Sequence, residues 1–408
     1  MADTFTGETP MADGYPNSAG IEDWLALMGA DGVGPLTCHR LIRHFGSAEA
    51  AMGASVRQLA AVEGIGDKTA EGIVASRGRF NVQEELALAD RLGVWLMHLE
   101  DPRYPPGLKV LYDPPPVLYV KGQLRREHQV AISIVGSRRC SLYGQEQASR
   151  LAHLLAGAGF TIVSGMARGI DTAAHQGALS AGGQTLAVQG CGLANVFPPE
   201  NRRLFDLISR SGACLSELPL RSEPLAGNFP SRNRIIAGLS AATIVVEAGL
   251  RSGALITARC ALENSREVMA VPGRVDSPLS KGPHHLLRQG AVLVESPQDV
   301  LDALGQIGAC LQGPLAAASE QSPDQGEADR HDRLLPGLGE AEKAVYAALS
   351  SDPAHTDQIV AGTGLAAGQV TAALVSLQLK GLIRAVPGNL FVRTRPTAQE
   401  SSRTTPDP

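Results

Sequence analysis

The sequence predicts an α/β protein with a doubly wound parallel sheet, preceded by a helical domain and followed by a small helical module. Three observations support this prediction. Short apolar runs alternate with helical stretches between residues 130 and 294, which is the pattern of a parallel sheet covered by helices. Two glycine turns interrupt a helical pattern over residues 20–80. A polar, acidic stretch at residues 313–333 separates the predicted sheet from three further helices.

Composition restricts the class of protein. The chain has 408 residues, of which 44% are apolar and 19% charged, so it is long enough for several globular domains with real cores. Its net charge of −5 argues neither for nor against nucleic acid, and 4% aromatic residues disfavour a protein that stacks many bases. With no signal peptide and no apolar run of about 20 residues, we expect a cytoplasmic protein that does not contact membranes.

The cysteines are widely spaced and include no C-x-x-C pair, so we expect reduced thiols, no disulfide framework and no metal site. They are Cys38, Cys140, Cys191, Cys214, Cys260 and Cys310.

Residues 1–19 are small and polar, and we expect them to be disordered. Over residues 20–80, glycine turns at 31–35 and 63–67 each precede an amphipathic stretch, at 36–45 and 68–74. Helix, G-x-G turn and helix form the helix-hairpin-helix pattern, whose glycines let backbone N–H groups approach a phosphate. Two such turns predict a compact SAM-like domain. Nearby basic residues are few, so the interpretation that the hairpins only pack together is favoured over DNA contact.

A proline-rich connector is predicted over residues 81–128, and an extended Rossmann-like sheet domain over 129–305. Its strands are predicted at 130–135, 160–163, 185–188, 213–215, 242–246, 268–271 and 291–294. Helices are predicted between them, for example at 145–156, 173–181, 202–208 and 254–263. In such a sheet the ligand site lies at the carboxyl ends of the strands.

A linker is expected over residues 306–335, a winged-helix module over 336–395 and a disordered tail over 396–408. The module is predicted to have helices at 340–349, 355–361 and 369–380 and a two-stranded wing at 381–384 and 390–393. The candidate recognition helix, residues 366–380, has one basic residue, Lys380, so it lacks the cations that a major-groove helix needs. This sequence favours a protein contact over sequence-specific regulation of DNA.

Glycine turns with arginines follow the first two predicted strands, and such turns present N–H groups and positive charge to an anion. The candidate residues are Gly136, Ser137, Arg138, Arg139, Ser164, Gly165, Arg168 and Gly169. The G-x-G-x-x-G fingerprint is absent, and Ser164 stands where a dinucleotide site needs an acid, so we expect no nicotinamide or flavin cofactor. The alternative is that these glycines only form tight turns.

A third cluster combines an aromatic ring, two guanidinium groups and an amide, which is what single-stranded nucleic acid requires. It consists of Phe229, Arg232, Asn233 and Arg234, and the alternative is an ordinary solvated loop. Ser252 is a candidate helix N-cap beside Gly253, and Lys281 adds a later cation. Residues 129–303 carry 16 Lys and Arg against 13 Asp and Glu, a local excess of positive charge.

Catalysis has weaker support. His175, His284 and His285 lack a nucleophile with a positioned base, and neither the G-x-S-x-G nor the Walker A motif is present. Asp171 and Glu247 are candidate carboxylates, but we expect Asp171 to cap a helix or orient an arginine. We therefore predict no catalytic residues.

At these residues the sequence resembles the DNA processing protein A family (DprA, also called Smf). The matching segments are GSRRCSLYG (136–144), SGMARGIDTAAHQGAL (164–179), FPSRNRIIAGLS (229–240), VVEAGLRSGALITA (245–258) and PGRVDSPLSKGPHHLL (272–287). The resemblance implies an extended Rossmann-like fold, homodimerisation through that domain, binding of single-stranded DNA at the strand ends and loading of RecA recombinase in transformation or recombination. Weak contact with duplex DNA is a separate expectation. It assigns DNA contacts to Arg138, Phe229, Arg232, Asn233 and Arg234.

The chain departs from the family pattern at one position. Many relatives carry a lysine three residues before the phenylalanine, where this chain has Ala226, so Lys281 or Arg221 is expected to replace that phosphate contact. A competing interpretation is a nucleotide phosphoribohydrolase on a similar sheet. Those enzymes carry P-G-G-x-G-T-x-x-E, whereas residues 249–254 read GLRSGA and lack the threonine and the catalytic glutamate.

Overall fold

A computed structural model describes residues 15–125, 130–305, 338–349, 353–379, 382–386 and 390–393. The chain forms two compact units, divided between residues 319 and 320. The predicted linker at 306–335 and the predicted tail at 396–408 lie outside the described residues.

The first unit contains helices on both sides of one sheet. Its helices are α1 Ile21–Met28, α2 Pro35–Phe45, α3 Ala48–Gly53, α4 Val56–Ala60, α5 Asp67–Ser76, α6 Val82–Leu92, α7 Pro106–Lys109, α8 Leu142–Gly157, α9 Ile170–Ser180, α10 Arg202–Ser211, α11 Asn228–Gly238, α12 Gly253–Glu263, α13 Lys281–Arg288 and α14 Pro297–Ala303. Its strands are β1 Val94–His98, β2 Val117–Gly122, β3 Ala131–Val135, β4 Thr161–Ser164, β5 Thr185–Val188, β6 Ala213–Ser216, β7 Ala242–Val245, β8 Glu267–Ala270 and β9 Val292–Leu293.

The sheet has the order β1-β2-β6-β5-β4-β3-β7-β8-β9. From β6 to β9 all neighbours are parallel, whereas β1 and β2 pair antiparallel with each other and β2 pairs antiparallel with β6. The prediction of a connector over 81–128 is therefore wrong for much of this range, which supplies α6 and two strands. The proline-rich segment between the two strands hid them, because prolines indicate a connector and the two apolar runs are short.

Alternating side chains of the strands enter different cores, as expected for a sheet covered on both faces. In β3, Ile132 and Ile134 pack with α8 and α9, whereas Ala131 and Val135 share a core with α11 and α12. The face of β1, β2 and β6 that carries Leu96 and Cys214 packs against the amino-terminal helices and α10. The helical domain thus shares a continuous core with the sheet.

The two predicted glycine turns lead into helices as expected. Gly34 and Gly66 are the N-caps of α2 and α5 in extended conformation, and Pro35 occupies the first turn of α2, where its missing N–H costs nothing. Leu41 and Ile73 from these two helices are fully buried in the shared core. This is the tandem helix-hairpin-helix arrangement that the sequence predicts.

Residues before α1 cover the free edge of β1. The Leu96 N–H donates to Asn17 Oδ1 at 2.8 Å, and the Leu96 carbonyl accepts from the Ser18 N–H at 3.0 Å. The His98 N–H donates to Ser18 Oγ at 3.3 Å. We call residues 15–18 the edge cover, because they satisfy backbone groups that an edge strand otherwise leaves to solvent.

The edge cover is held by side chains as well. Tyr15 stacks on Trp95 with ring centroids 5.0 Å apart, and Arg103 donates to the Pro16 carbonyl at 2.9 Å. Ser18 also donates to the buried carboxylate of Asp101. The expectation that residues 1–19 are disordered is therefore wrong for 15–19, while 1–14 lie outside the described residues.

The second unit is a winged helix, as predicted. Its elements are α15 Glu340–Ala348, β10 Ala354–His355, α16 Thr356–Thr363, α17 Ala367–Leu379, β11 Ile383–Val386 and β12 Leu390–Arg393. The three strands form one sheet in the order β10-β12-β11, and Val345, Ile359 and Leu377 form its core with neighbouring apolar side chains. Within the described residues, no single helix has the length and apolar character needed to cross a membrane, although the bent pair α16 and Ala367–Gln378 meets that requirement when taken together.

The described cysteines are all free thiols. Cys38, Cys191 and Cys214 are buried, whereas Cys140 and Cys260 are partly exposed, and Cys310 lies outside the described residues.

Candidate nucleic-acid interface

A cleft of about 750 Å³ opens at the carboxyl ends of β3 and β7. Strands β4, β5 and β6 follow one another on one side of β3, and β8 and β9 follow β7 on the other side. The strand order therefore reverses between β3 and β7. Reversal points of this kind open a crevice between the loops that follow the two strands. The cleft is lined chiefly by the loops after β3, β4 and β7 and by α11.

The loop after β3 brings two arginines to the cleft mouth. Gly136 lies so close to Ile170 that a Cβ would overlap it, and the Ser137 N–H donates to the Glu247 carbonyl at 2.6 Å. These contacts fix the loop backbone against the neighbouring strand loop. Arg138 and Arg139 are exposed, and neither has an ion-pair partner in the described parts of the chain.

Phe229, at the start of α11, is half-buried. Its ring packs 5.5 Å from the ring of Phe197, and a Cβ on Gly190 would touch it. The guanidinium of Arg138 lies 5.1 Å from the Phe229 ring centroid, within the range of a cation–π contact. Arg138 and Phe229 thus form a pair that both sequence and structure place at the cleft.

Arg232 is a buried part of the cleft wall. Its guanidinium donates to the Val188 carbonyl and occupies the space that a Cβ on Gly165 would fill. Burial lowers the pKa of Arg232 to about 10, while the nearby Asp171 opposes that shift. The alternative of an ordinary solvated loop is wrong, because the segment forms a helix packed against the sheet, while the predicted DNA contact of Arg232 stays a prediction.

Asp171 is buried beside Arg232 and accepts hydrogen bonds from the N–H groups of Gly165, at 3.2 Å, and Ala167, at 3.3 Å. Burial raises the pKa of this carboxyl, and Arg232 and the two N–H donors oppose the increase. The carboxylate therefore holds the loop after β4 and faces a buried arginine, as the sequence predicts.

Arg234 lies away from the cleft, contrary to the prediction of a DNA contact. It binds Glu217 with two hydrogen bonds, of 3.0 and 2.7 Å, and Asp113 with one of 2.8 Å. Its side chain is 10% exposed and that of Glu217 is 13% exposed. This buried pairing joins α11 to the segments after β6 and before β2, which is a structural role.

The loop after β7 supplies the opposite wall. Ser252 caps α12 by accepting from the Ala254 N–H at 3.3 Å, as predicted, and Asn233 donates to the Gly253 carbonyl at 3.3 Å. Arg251, in the same loop, is exposed and lines the cleft. Arg251 is not among the residues that the sequence predicts for this site, although its position after a strand end was the signal that could have identified it.

The lining of the cleft is cationic. It includes Arg138, Arg139, Arg232 and Arg251, with Asp171 as the one carboxylate among the described lining residues. The N-terminus of α12 also opens into it, and unpaired N–H groups at a helix start favour an anion. The cleft therefore favours a polyanion.

Other predicted site residues lie outside the cleft lining. Ser164 is buried and donates to the Ile134 carbonyl at 2.7 Å, and Gly169, at φ 76°, packs against Ser137. Lys281 donates to the Val275 carbonyl at 2.9 Å, and Arg221 pairs with Glu84. Neither cation lines the cleft, so the expected replacement for the lysine missing at Ala226 is wrong.

Arg168 and Gly165 line a small side pocket beside the cleft. Arg138 and Phe229 line both spaces and so form the boundary between them. Arg168 donates to Glu200, with both side chains about half exposed.

The candidate catalytic groups have structural partners. Glu247 accepts from the Ser141 N–H at 2.8 Å and from Ser141 Oγ at 2.6 Å, which ties it to the start of α8. His175 is buried against Thr185, with burial lowering its pKa to about 3, and His284 contacts the Gly273 carbonyl at 3.0 Å. Among the described residues, no group of histidine, cysteine or acidic side chains is arranged to hold a metal ion.

Comparison with known proteins identifies the family. The model of the DNA recombination-mediator protein A family matches residues 95–305, that of the DprA winged helix domain 318–389 and that of the SAM-like helix-hairpin-helix tandem 25–78. Protein Smf of Synechocystis sp. is 39% identical over 389 residues, covering 91% of this chain and 98% of the relative. DNA processing protein DprA of Streptococcus pneumoniae is 47% identical over 201 residues, covering 49% of this chain and 71% of the relative.

A solved structure agrees. The X-ray structure of DNA processing protein A from Streptococcus pneumoniae is 35% identical and covers 69% of this chain and 96% of its own, with a TM-score of 0.61. A second structure, of DNA processing protein A from Helicobacter pylori, is described for its single-stranded DNA binding mode. It is 31% identical and covers 51% of this chain and 95% of its own, with a TM-score of 0.46. With its helical domain, sheet domain and winged helix matched in that order along the chain, the chain belongs to the DNA recombination-mediator protein A family.

Proposed function

We propose that this protein binds single-stranded DNA in the cleft at the carboxyl ends of β3 and β7. Arg138, Arg139 and Arg251 bind successive phosphates, while a base stacks at the Arg138–Phe229 pair. Arg232 and Asn233 shape the wall between them, and Ser252 and Gly253 present the start of α12 to a phosphate. The observation that carries the proposal is the concentration of exposed arginines around one aromatic ring at the reversal point of the sheet, with no ion-pair partner among the residues that the structure describes.

A single strand fits this arrangement better than a duplex. The aromatic ring lies inside a concave cleft, and a base reaches it only when unstacked from a complementary strand. In duplex DNA the bases are enclosed between two backbones, so only phosphates meet the arginines. We therefore expect weak duplex binding that depends on charge alone.

The test is a binding titration of fluorescent oligonucleotides, comparing single-stranded with duplex DNA over a range of salt concentrations. The expected result is tighter binding of the single strand at every salt concentration, with affinity falling as salt rises. Equal affinity for the two forms would contradict the stacking part of the proposal.

The family membership supports a role in recombination, and we infer that the protein acts in the cytoplasm as a homodimer that delivers bound strands to RecA recombinase. The measurement is assembly of RecA on single strands already covered by a single-strand binding protein. Addition of this protein should accelerate assembly, and the Arg138→Ala variant should not.

A phosphoribohydrolase activity is the second candidate. It is disfavoured because Glu247 is bound by Ser141, and Asp171, the carboxylate in the described cleft lining, is buried against Arg232. We therefore propose that the protein is not an enzyme. Incubation with nucleoside monophosphates should release no free base, and release that depends on Asp171 would favour the enzyme.

A further inference from the structure

We infer that a bound single strand continues beyond the cleft, over the Arg168–Glu200 pair, onto Arg202 and Arg203 at the start of α10. This inference rests on the proposed binding of single-stranded DNA and adds a second contact region to it. The side pocket gives the strand a path out of the cleft. Its lining includes Arg168 and Phe197, and it shares Arg138 and Phe229 with the cleft. A strand that stacks a base at Phe229 therefore has this pocket directly beside it.

The position of α10 supports a path from the side pocket to Arg202 and Arg203. This helix connects β5 to the parallel strand β6. It therefore begins on the side of the sheet where the carboxyl ends of the strands lie and the cleft opens, and it ends on the side of their amino ends. Its start is fixed to the loop after β4, because the Asn201 side chain donates to the Met166 carbonyl and to Thr172 Oγ1, both at 2.9 Å. Arg202 and Arg203 come immediately after Asn201 and are exposed.

The charge of the two α10 arginines also supports this path. Arg202 and Arg203 have no ion-pair partner among the residues that the structure describes, unlike the exposed Arg259, which pairs with Glu263. They extend the positive charge of the cleft mouth in the direction of the side pocket. A phosphate backbone leaving the cleft on this side meets Arg168 first and the two α10 arginines next.

Glu200 lies on this route and competes with the DNA. Its carboxylate accepts a hydrogen bond from Arg168, which raises the pKa of Arg168 and lowers that of Glu200. Exposed ion pairs are weak, so a phosphate can replace this carboxylate. Glu200 is therefore a specificity-determining residue that opposes the second contact region until a strand is long enough to reach it.

The experiment measures binding of oligonucleotides of about 6 and about 20 nucleotides at several salt concentrations. The full-length protein is compared with the Arg202→Gln/Arg203→Gln double variant and with Glu200→Gln. The matched control is Arg259→Gln/Arg288→Gln, which removes the same charge from exposed sites on α12 and α13.

For the longer oligonucleotide, the double variant should bind about 5- to 30-fold more weakly, with a salt slope less steep by about 1.4, since two phosphate contacts are lost. Glu200→Gln should bind it a few-fold more tightly, with a slope steeper by about 0.7. The shorter oligonucleotide should bind all variants as it binds the unaltered protein. The opposite signs of the two effects exclude misfolding as their cause.

Equal weakening of both oligonucleotides by the double variant, or an equal effect from the control pair, would overturn the inference. An unchanged slope for the longer oligonucleotide would do the same. Failure of the unaltered protein to bind either oligonucleotide would instead overturn the proposed function itself, so the two failures are distinguishable.

Discussion

The loop after β3 and helix α11 both bring arginines to the region of the cleft, but they use them differently. The loop exposes Arg138 and Arg139 without ion pairs in the described chain, whereas α11 buries Arg232 and Arg234 against carbonyl and carboxylate groups. A guanidinium in solvent keeps its donors available for phosphate. A buried guanidinium already directs its donors to groups of the protein, and removing it leaves those groups without a partner.

The difference predicts opposite phenotypes, and the largest effect should come from Arg234→Ala. This change leaves Glu217 buried without its partner, so we expect the free energy of unfolding to fall by about 3–5 kcal/mol. Arg138→Ala should leave it nearly unchanged. Denaturant unfolding of both variants provides the measurement, and similar stabilities would break the comparison.

The pH dependence sharpens this test. Burial already raises the pKa of Glu217, with Arg234 opposing the increase. A carboxyl with a raised folded-state pKa holds its proton more tightly when folded, so stability falls as pH rises through that value. Without Arg234 the pKa of Glu217 rises further, so the stability deficit of Arg234→Ala should grow as pH rises from the ordinary glutamate pKa through the raised value. The Arg234→Ala/Glu217→Gln double variant should lack this growth.

Phe229→Leu should give the next largest effect. Leucine keeps apolar contact with Phe197 and Gly190 but loses the aromatic face, so single-strand affinity should fall by about 1–3 kcal/mol. The stability cost of the change should stay below about 1.5 kcal/mol. Anisotropy titration and thermal unfolding measure the two quantities. A stability loss without an affinity loss would assign Phe229 to packing alone.

Arg138→Gln should show mainly in the salt dependence. Loss of one phosphate contact should make the slope of log affinity against log salt less steep by about 0.7. Arg139→Gln and Arg251→Gln should behave alike, whereas Lys281→Gln, outside the cleft lining, should leave the slope unchanged. An effect of Lys281→Gln equal to that of Arg138→Gln would contradict the assignment.

The smallest effect is expected from deletion of residues 334–408. Helix α17 carries no basic residue, so removal of the winged helix should leave most single-strand affinity intact. Self-association, partner contact or duplex affinity should change instead. Loss of single-strand binding by a truncated protein that remains folded by circular dichroism would contradict this.

Local patterns predicted the parallel sheet well, because each buried strand is a short apolar run whose partner lies one helix further along the chain. They missed β1 and β2, which pair antiparallel and are separated by a proline-rich segment. Residues 15–19 are ordered because they contact β1, an edge strand about 80 residues away in the sequence, and a local sequence pattern contains no information about such a contact.

The candidate site likewise contains one part that the sequence predicts correctly and one part that it does not. The loop after β3 could be predicted because a glycine turn at a strand end exposes the side chains of the next few residues. The sequence F-P-S-R-N-R suggested one loop with several free arginines, but whether a helical arginine faces DNA or a carboxylate depends on Asp113, Glu217 and Val188, which are distant in sequence. Residue type predicted which side chains can bind phosphate, and only the tertiary packing determines which of them are free to do so.

The edge cover has a practical consequence for handling the protein. A chain shortened to begin at α1 would leave Leu96 and His98 with open backbone groups at the end of a nine-stranded sheet. Two such molecules can pair edge to edge, with concentration-dependent self-association that has no connection with DNA or with a functional dimer. The average molar mass of that shortened chain, measured by light scattering, should rise with concentration, and fusion partners are better joined well ahead of Tyr15 than in place of it.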